Sequence, residues 1–458
     1  MNANHITIIG GGCSGTLLLI QLIRQAVNPL KVTLVNSGFP TVRGIAYSTD
    51  NINHLLNVRA GRMSAFPDDP LHFVKWIEKN SELEGYHRAD LSEQFIPRKI
   101  YGNYLEELLQ EHLQQHHEKI KVTFIWDEVL DLETNDNEYT VLLKSGTPFT
   151  TEKVILCTGN NPPISLPGKQ NLAADHRIAV NPWEKGILEN LDSNQSVLIL
   201  GSSLTMADTM ISLISKKITA PVFVLSRHGQ LPMKHPVTRE THHTVSHFEP
   251  AADLQTLYHQ VKLRIRQAYA SGNWHEPVLE DLRPHTQRIW QGLSTPERSR
   301  FLRHINHKWS KLRHRLPSEV YTIIENEISN DRVKLLSGEL ENIDTSDPLL
   351  KVELRLRGEN NLQTVHVQKI INCTGPEGNF LKSGNTLLRN LAIRGLIRPY
   401  ELSIGFDALA DGRLKNKDGA ITKNVWTMGP GLRGVLWECT AVPEIRIQAK
   451  ELATKLVA

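Results

Sequence analysis

Two glycine-bearing turns are the places in this 458-residue chain where residue type and spacing can do chemistry. In the first, His5-Ile6-Thr7-Ile8-Ile9 runs into Gly10-x-Gly12-x-x-Gly15 and an apolar helix expected from Thr16 to about Gln25. Gly10 permits a tight bend, Gly12 lets the backbone approach a pyrophosphate, and Gly15 lets helix and strand pack. The helix start, through Cys13, Ser14 and Gly15, points free amides at phosphate oxygens. In the second, Val197-Leu198-Ile199-Leu200 runs into Gly201-Ser202-Ser203-Leu204-Thr205, with Ser203 where a second glycine belongs. Each turn is suited to one dinucleotide, the second less well than the first.

The elements around the turns supply the specificity that a lone glycine motif lacks. A second strand follows each: Lys31 to Asn36 after the first and Val222 to Arg227 after the second. Both stand where a ribose-reading residue is expected about 20 positions on. Asn36 offers a neutral group there instead of the usual carboxylate. Arg227 and His228 put positive charge where a 2′-phosphate would lie, which favours NADPH over NADH. A later apolar strand ends at Thr158-Gly159 in the first region and at Thr374-Gly375 in the second. The pattern predicts an α/β protein with two Rossmann-like units and a helical insertion.

This order is similar to that of two-dinucleotide flavoproteins, with FAD across the first and last parts and NAD(P)H on an inserted unit. More narrowly, the chain resembles a large bacterial family of FAD/NAD(P)-binding proteins related to flavin-dependent N-hydroxylases and Baeyer-Villiger-type monooxygenases. Gly44-Ile45-Ala46-Tyr47-Ser48-Thr49, His54-Leu55-Leu56-Asn57-Val58, Gly61 to Pro67, Phe95-Ile96-Pro97-Arg98 and Gly431-Leu432-Arg433-Gly434 to Glu444 carry the likeness. It implies a discontinuous FAD domain over 1–168 and 332–458, an NAD(P) domain over 169–250 and a helical insertion or lid over 251–331. It adds Asn57, Met63 and Ser64 near the flavin, and Arg98 as a partner for cofactor charge or as a plain ion pair. Thr158, Gly159, Gly429 and Pro443, the last in the first turn of a helix expected from Val442 to Leu456, complete the FAD set. Gly201, Ser202, Ser203, Thr205, Arg227 and His228 form the NADPH set.

The resemblance further implies a small-molecule monooxygenase that takes hydride from NADPH and works through a flavin C4a-hydroperoxide, with O2 as co-substrate. A flavin dehydrogenase or oxidase, or a non-catalytic redox-responsive flavoprotein, stays open. Cys13, Cys157, Cys373 and Cys439 form no C-x-x-C or C-x4-C pair, so no flavin-linked dithiol is encoded. Net charge is +3, which implies no bulk attraction to nucleic acid. Residues 6–23 are apolar, yet three consecutive glycines and the strand behind them read as a cytoplasmic Rossmann turn and not as a membrane segment. His235, His242, His243 and His247 crowd near Glu240 and Glu249 without a common metal-ligand spacing, so substrate or nicotinamide contact is the better reading and no metal is expected. Leu302, Ile305, Trp309, Leu312 and Leu316 predict one face of a helix whose other side is basic, from Arg298 through Arg315. That side reads as a solvated face or as an anion-attracting lid.

Overall fold

The structure is a computed structural model that describes residues 4–38, 42–115, 118–135, 138–163, 166, 172, 175–236, 249, 251–272 and 274–458. Its strands in chain order are β1 (Asn4–Ile9), β2 (Leu30–Asn36), β3 (Ile120–Trp126), β4 (Val129–Asn135), β5 (Glu138–Leu143), β6 (Phe149–Thr151), β7 (Lys153–Leu156) and β8 (Ile178–Ala179). There follow β9 (Val197–Leu200), β10 (Val222–Ser226), β11 (Val333–Asp344), β12 (Leu350–Leu356), β13 (Leu362–Val367), β14 (Lys369–Asn372), β15 (Arg413–Lys415) and β16 (Ile421–Thr427).

Two large sheets result. The first has the order β15-β16-β7-β1-β2-β3 and is parallel except for the edge strand β15. β1 and β7 are buried along almost their whole length because helices and a small β4-β5-β6 sheet cover both faces. One face packs on the helices Cys13–Gln25, Arg98–Gln115 and Val442–Val457, through residues such as Leu18, Leu22, Tyr101, Tyr104 and Ala449. Tyr101 and Tyr104 are fully buried there. Each such side chain contributes about 1.5–3 kcal/mol by leaving water.

The second sheet has the order β13-β12-β11-β10-β9-β14-β8. This moves one expected boundary. Val222 pairs with Val333 as β11 adds to β10 in parallel, and β12 and β13 extend the same sheet antiparallel. β14 then returns beside β9. Residues 333–372 therefore belong to the second unit, and the chain rejoins the first sheet only after Asn372. The sequence suggested a return at 332 because a strand starts there; hydrogen-bond partners, which sequence does not display, assign it to the other sheet.

The helical segment is the crossover from β10 to β11. It comprises the helices Leu254–Ala270, Glu276–Leu282, Thr286–Gly292 and Thr295–Arg300, a π-helical turn Phe301–Ile305, and the helices Asn306–Arg313 and Ser318–Ser329. The π turn breaks the expected single stripe. Leu302, Ile305 and Trp309 stay in one apolar cluster, whereas Leu316 joins the core of the second unit and bridges to Lys234 in the manner of a short strand. Nor is the basic side wholly solvated. Arg298 bonds the Trp290 carbonyl and the Tyr400 hydroxyl, Arg313 faces Glu438, and Arg315 is 2% exposed between Glu276 and Glu280. No helix among the described residues is long and apolar enough to cross a membrane.

Candidate nucleotide sites and the seam between them

Each glycine turn stands where the chain leaves a central strand and its neighbours run to opposite sides: β1 lies between β2 and β7, and β9 between β10 and β14. Open α/β sheets bind ligands in the crevice at such a switch point. Gly10 has φ +105°, and its N–H donates to the Val35 carbonyl at 2.8 Å. A Cβ on Gly10 would stand 2.3 Å from the Cys157 carbonyl oxygen, and one on Gly15 would stand 2.1 Å from that of Gly10. Gly12 differs: the nearest atom to an added Cβ is Gly44 Cα at 3.5 Å. The turn therefore tolerates a side chain at 12 as far as the protein is concerned, and the space there is available to a ligand. The helix Cys13–Gln25 has no side-chain cap and no acid in its first turn, so the amides at its start, those of Cys13, Ser14 and Gly15 among them, and its positive dipole end suit a pyrophosphate. These features fit a dinucleotide.

Asn36 has a specific task. Its Oδ1 accepts the Gly11 N–H at 2.9 Å, tying the turn to the end of β2. Thr158 and Gly159, the latter at φ +71°, line a small cleft with Pro376, Pro430, Gly431 and Arg433, so the ends of the first and last parts meet as expected. Gly429, at φ +64°, packs so close to Ser14 that a Cβ would come within 2.6 Å of its hydroxyl. The Gly429 N–H is already given to Gln448 Oε1 at 2.8 Å, which leaves the loop's other amides and the helix Val442–Val457 to face a cofactor. Pro443 occupies that helix's first turn.

Three residues suggested by resemblance have partners within the protein. Met63 is buried in the core of the first unit. Ser64 is fully buried and gives its hydroxyl to the Asp69 carbonyl at 2.6 Å, fixing a local loop. Arg98 pairs with Asp208 at 2.9 Å and gives its Nε to the Leu55 carbonyl at 3.0 Å. The Arg98–Asp208 pair joins the two units, with side chains only 12% and 13% exposed. Burial raises the Asp208 carboxyl, with Arg98 and His54 pulling it back. His54 adds a second link through Ser212 at 2.9 Å. Asp208 lies four residues into the second helix, where sequence alone marks no partner for Arg98. Asn57 is half-buried, and its carbonyl meets His235 Nε2 at 3.2 Å.

The second turn repeats the first backbone scheme. Gly201 has φ +98°, donates to the Leu225 carbonyl at 2.8 Å, and could not carry a Cβ within 2.3 Å of the Cys373 carbonyl. Ser202 Oγ bonds Ser226 Oγ at 2.9 Å and so replaces the Gly11–Asn36 tie. Ser203 caps the helix Leu204–Ser215 with its backbone only, and Thr205 sits in the first turn. Beyond β10, Arg227 is exposed, with no acidic partner among the described residues, and His228 stacks on His307 with ring centroids 4.4 Å apart. Arg227 is thus an exposed cation directly after β10.

Between the units runs a buried ionic belt. Glu276 meets Arg315 at 2.9 Å and His235 Nδ1 at 3.8 Å, and Glu280 meets Arg62 at 2.5 Å. Burial alone would raise the Glu276 carboxyl, but His235, Arg315 and Arg59 hold it down at about 2. His275 is fully buried and is pushed down to about 4 by desolvation and the nearby Arg315. Of the expected histidine group, only His235 and the neighbouring Glu249 lie among the described residues; His242, His243, His247 and Glu240 lie outside them. The cysteines are free, and burial pushes the Cys13 and Cys373 thiols up to about 12 and those of Cys157 and Cys439 higher still. Cys439 is a packing residue in an apolar cluster and not a reactive thiol.

Nothing in the residue pattern marks the conformation at Trp437. This buried residue has φ +60° and ψ −73°, a backbone state that costs roughly 1–3 kcal/mol for a side chain of this size. It is held by a face-to-face stack on Trp290 at 4.8 Å, an edge contact with Phe301 at 5.3 Å and the Arg433 guanidinium 5.0 Å from its ring centre.

Residues 7–161 match a family model described as FAD-NAD(P)-binding. The whole chain shares its fold with flavin-dependent hydroxylases. It is similar to the reduced form of ornithine hydroxylase from Pseudomonas aeruginosa, with a TM-score of 0.66 at 16% identity and 99% of each chain covered. It is also similar to the Kutzneria sp. 744 ornithine N-hydroxylase with reduced FAD, NADP+ and L-ornithine (TM-score 0.69, 11% identity, 99% of each chain). L-lysine 6-monooxygenase from Pseudomonas syringae aligns at TM-score 0.65, 15% identity and 99% of each chain. No curated protein matches the sequence.

Proposed function

We propose that this protein is an FAD-dependent, NADPH-using oxidoreductase that acts as a monooxygenase on a small molecule. The observation that carries the reading is the repetition of one crevice geometry at two switch points of one chain. Each crevice ends in an uncapped helix start, and only the second is followed by an exposed arginine. FAD is assigned to Gly10, Gly12, the amides of Cys13 to Gly15, Thr158, Gly159 and the 429–434 loop. NADPH is assigned to Gly201, Ser202, Ser203 and Thr205, with Arg227 and His228 reading the 2′-phosphate.

Bound flavin supplies the hydride acceptor and the centre at which oxygen is reduced. The chain's own groups orient and shield it. The 12–15 turn holds phosphate, the Arg98–Asp208 and His54–Ser212 links fix one unit against the other, and the crossover helices cover the seam from water. Four free cysteines, no two of them spaced as a redox pair, support oxygen over a disulfide as the oxidant of the reduced flavin. Anaerobic mixing with NADPH followed by an oxygen pulse tests this. Reduction of bound FAD, then an oxygenated product in step with NADPH use, is expected. Return to oxidised flavin with stoichiometric hydrogen peroxide across added substrates would make the protein an oxidase, and absence of reduction would remove the enzymatic reading.

A further inference from the structure

The helical crossover and Trp437 line a half-open apolar pocket of about 90 Å³, of the same order as the roughly 150 Å³ dry cavity that takes up benzene. We infer that this cavity binds the uncharged aromatic or alicyclic ring of the substrate, and that Trp437 is the wall between it and the flavin crevice. The inference rests on the flavoenzyme reading above and names its substrate class.

The walls are built by periodicity. Leu254, Leu257 and Val261 recur on one face of the helix Leu254–Ala270, opposite Trp290, Trp309 and Trp437. None of the lining residues carries a charge. Two of the three indole N–H groups are engaged elsewhere, Trp290 Nε1 donating to the Gly434 carbonyl at 2.7 Å and Trp309 Nε1 to Glu438 Oε1 at 2.8 Å, whereas Trp437 Nε1 is buried without a protein acceptor and is free to donate to a ligand oxygen. Ring faces and methyl groups are left to meet a ligand. A cationic amine entering here would find aromatic faces but no carboxylate in exchange for its water, whereas a flat uncharged ring loses little and gains contact with the surrounding side chains.

Position links the cavity to the crevice. Pro430, Gly431 and Arg433 line the cleft with Thr158 and Gly159, and Trp437, at the end of the same short segment, lines the cavity. Arg433, which lines the cleft, also lies 5.0 Å from the centre of the Trp437 ring, so one short segment touches both spaces.

The test is calorimetric titration of the FAD-loaded protein with acetophenone, an uncharged aryl ketone, and with L-ornithine. Acetophenone is expected to bind and L-ornithine not to bind. Val261→Trp, which fills the cavity, should weaken acetophenone at least tenfold while FAD content and melting temperature hold. Leu257→Phe, a smaller filling, should give an intermediate loss. Equal acetophenone affinity in both variants and the parent, or L-ornithine binding that Val261→Trp abolishes, would overturn the inference. Because ring binding is read without turnover, failure of NADPH to reduce the flavin would count against the flavoenzyme reading alone.

Discussion

The two glycine turns share a backbone and differ in what they offer a ligand. In both, the turn amide bonds the end of the second strand at 2.8 Å, and the glycine lies against the carbonyl of a cysteine that closes the third strand. In both, a side chain ties the loop to the second strand's end, Asn36 in one and Ser202 with Ser226 in the other. The helix start then separates them. The first turn has Gly12 and Gly15 where the second has Ser203 and Met206, and Met206 is wholly buried in the core of its unit. A helix that accepts a methionine there cannot lie against its turn as closely as one that requires glycine. The backbone scheme is thus the price of a parallel switch point, while close approach to a pyrophosphate is a separate feature, built fully only in the first unit.

The sharpest way to break the comparison is to place side chains on equivalent glycines. Gly10→Val and Gly201→Val each combine a left-handed φ with a carbonyl clash, so both should lose stable fold, by about 4 kcal/mol or more, read as loss of soluble protein or of the cooperative melt. Gly12→Val should melt within a few degrees of the parent and yet purify without FAD, because its side chain meets only ligand space. If Gly12→Val retained flavin at full stoichiometry, the first turn would not be the pyrophosphate site.

Next in size is the seam. Arg98→Ala leaves Asp208 buried and unpaired and should cost about 3–5 kcal/mol in denaturant unfolding. The double variant Arg98→Met with Asp208→Leu should regain much of that, since it removes both charges. A double variant as unstable as the single one would show that packing, and not the ion pair, fastens the units.

Arg227→Ala probes the difference in charge between the two second strands. It should raise the KM for NADPH by about 1.5–3 kcal/mol in binding terms and leave NADH unchanged. Equal losses for both nucleotides would assign Arg227 to something other than the 2′-phosphate.

The smallest effect expected is on pH dependence of the belt. His275 is held below its ordinary value of 6.5, at about 4, so the unfolded chain binds its proton first and stability falls as pH drops from 6.5 to 4. Glu276 is depressed from 4.5 to about 2, so its contribution is complete above 4.5 and is lost as pH falls through 2. Melting temperature should therefore decline in two steps on acidification, and His275→Gln should shrink only the upper one, to which His5, also held down at about 4, contributes the rest. A variant whose upper step is unchanged would place that titration on another group.

Much was legible in the sequence because it is local. Glycine spacing, apolar strands, Pro443 in the first turn of the last helix, and the lone arginine after Ser226 all act within a few residues of themselves. The helix expected from Val442 to Leu456 runs from Val442 to Val457. What tertiary structure decided is long-range. Strand β11 could join either sheet on pattern alone, and only its hydrogen bonds to β10 settle the boundary. Met63 packs in a core and Ser64 pins a loop, contacts that their motif does not display. Arg98 finds Asp208 110 positions away, Arg315 turns inward because Glu276 and Glu280 wait there, and a π turn diverts Leu316 from its helical stripe. Residue spacing encodes what the backbone can do nearby. Which charges are buried together, and which aromatic ring walls a cavity, depends on segments that meet only once the sheets have formed.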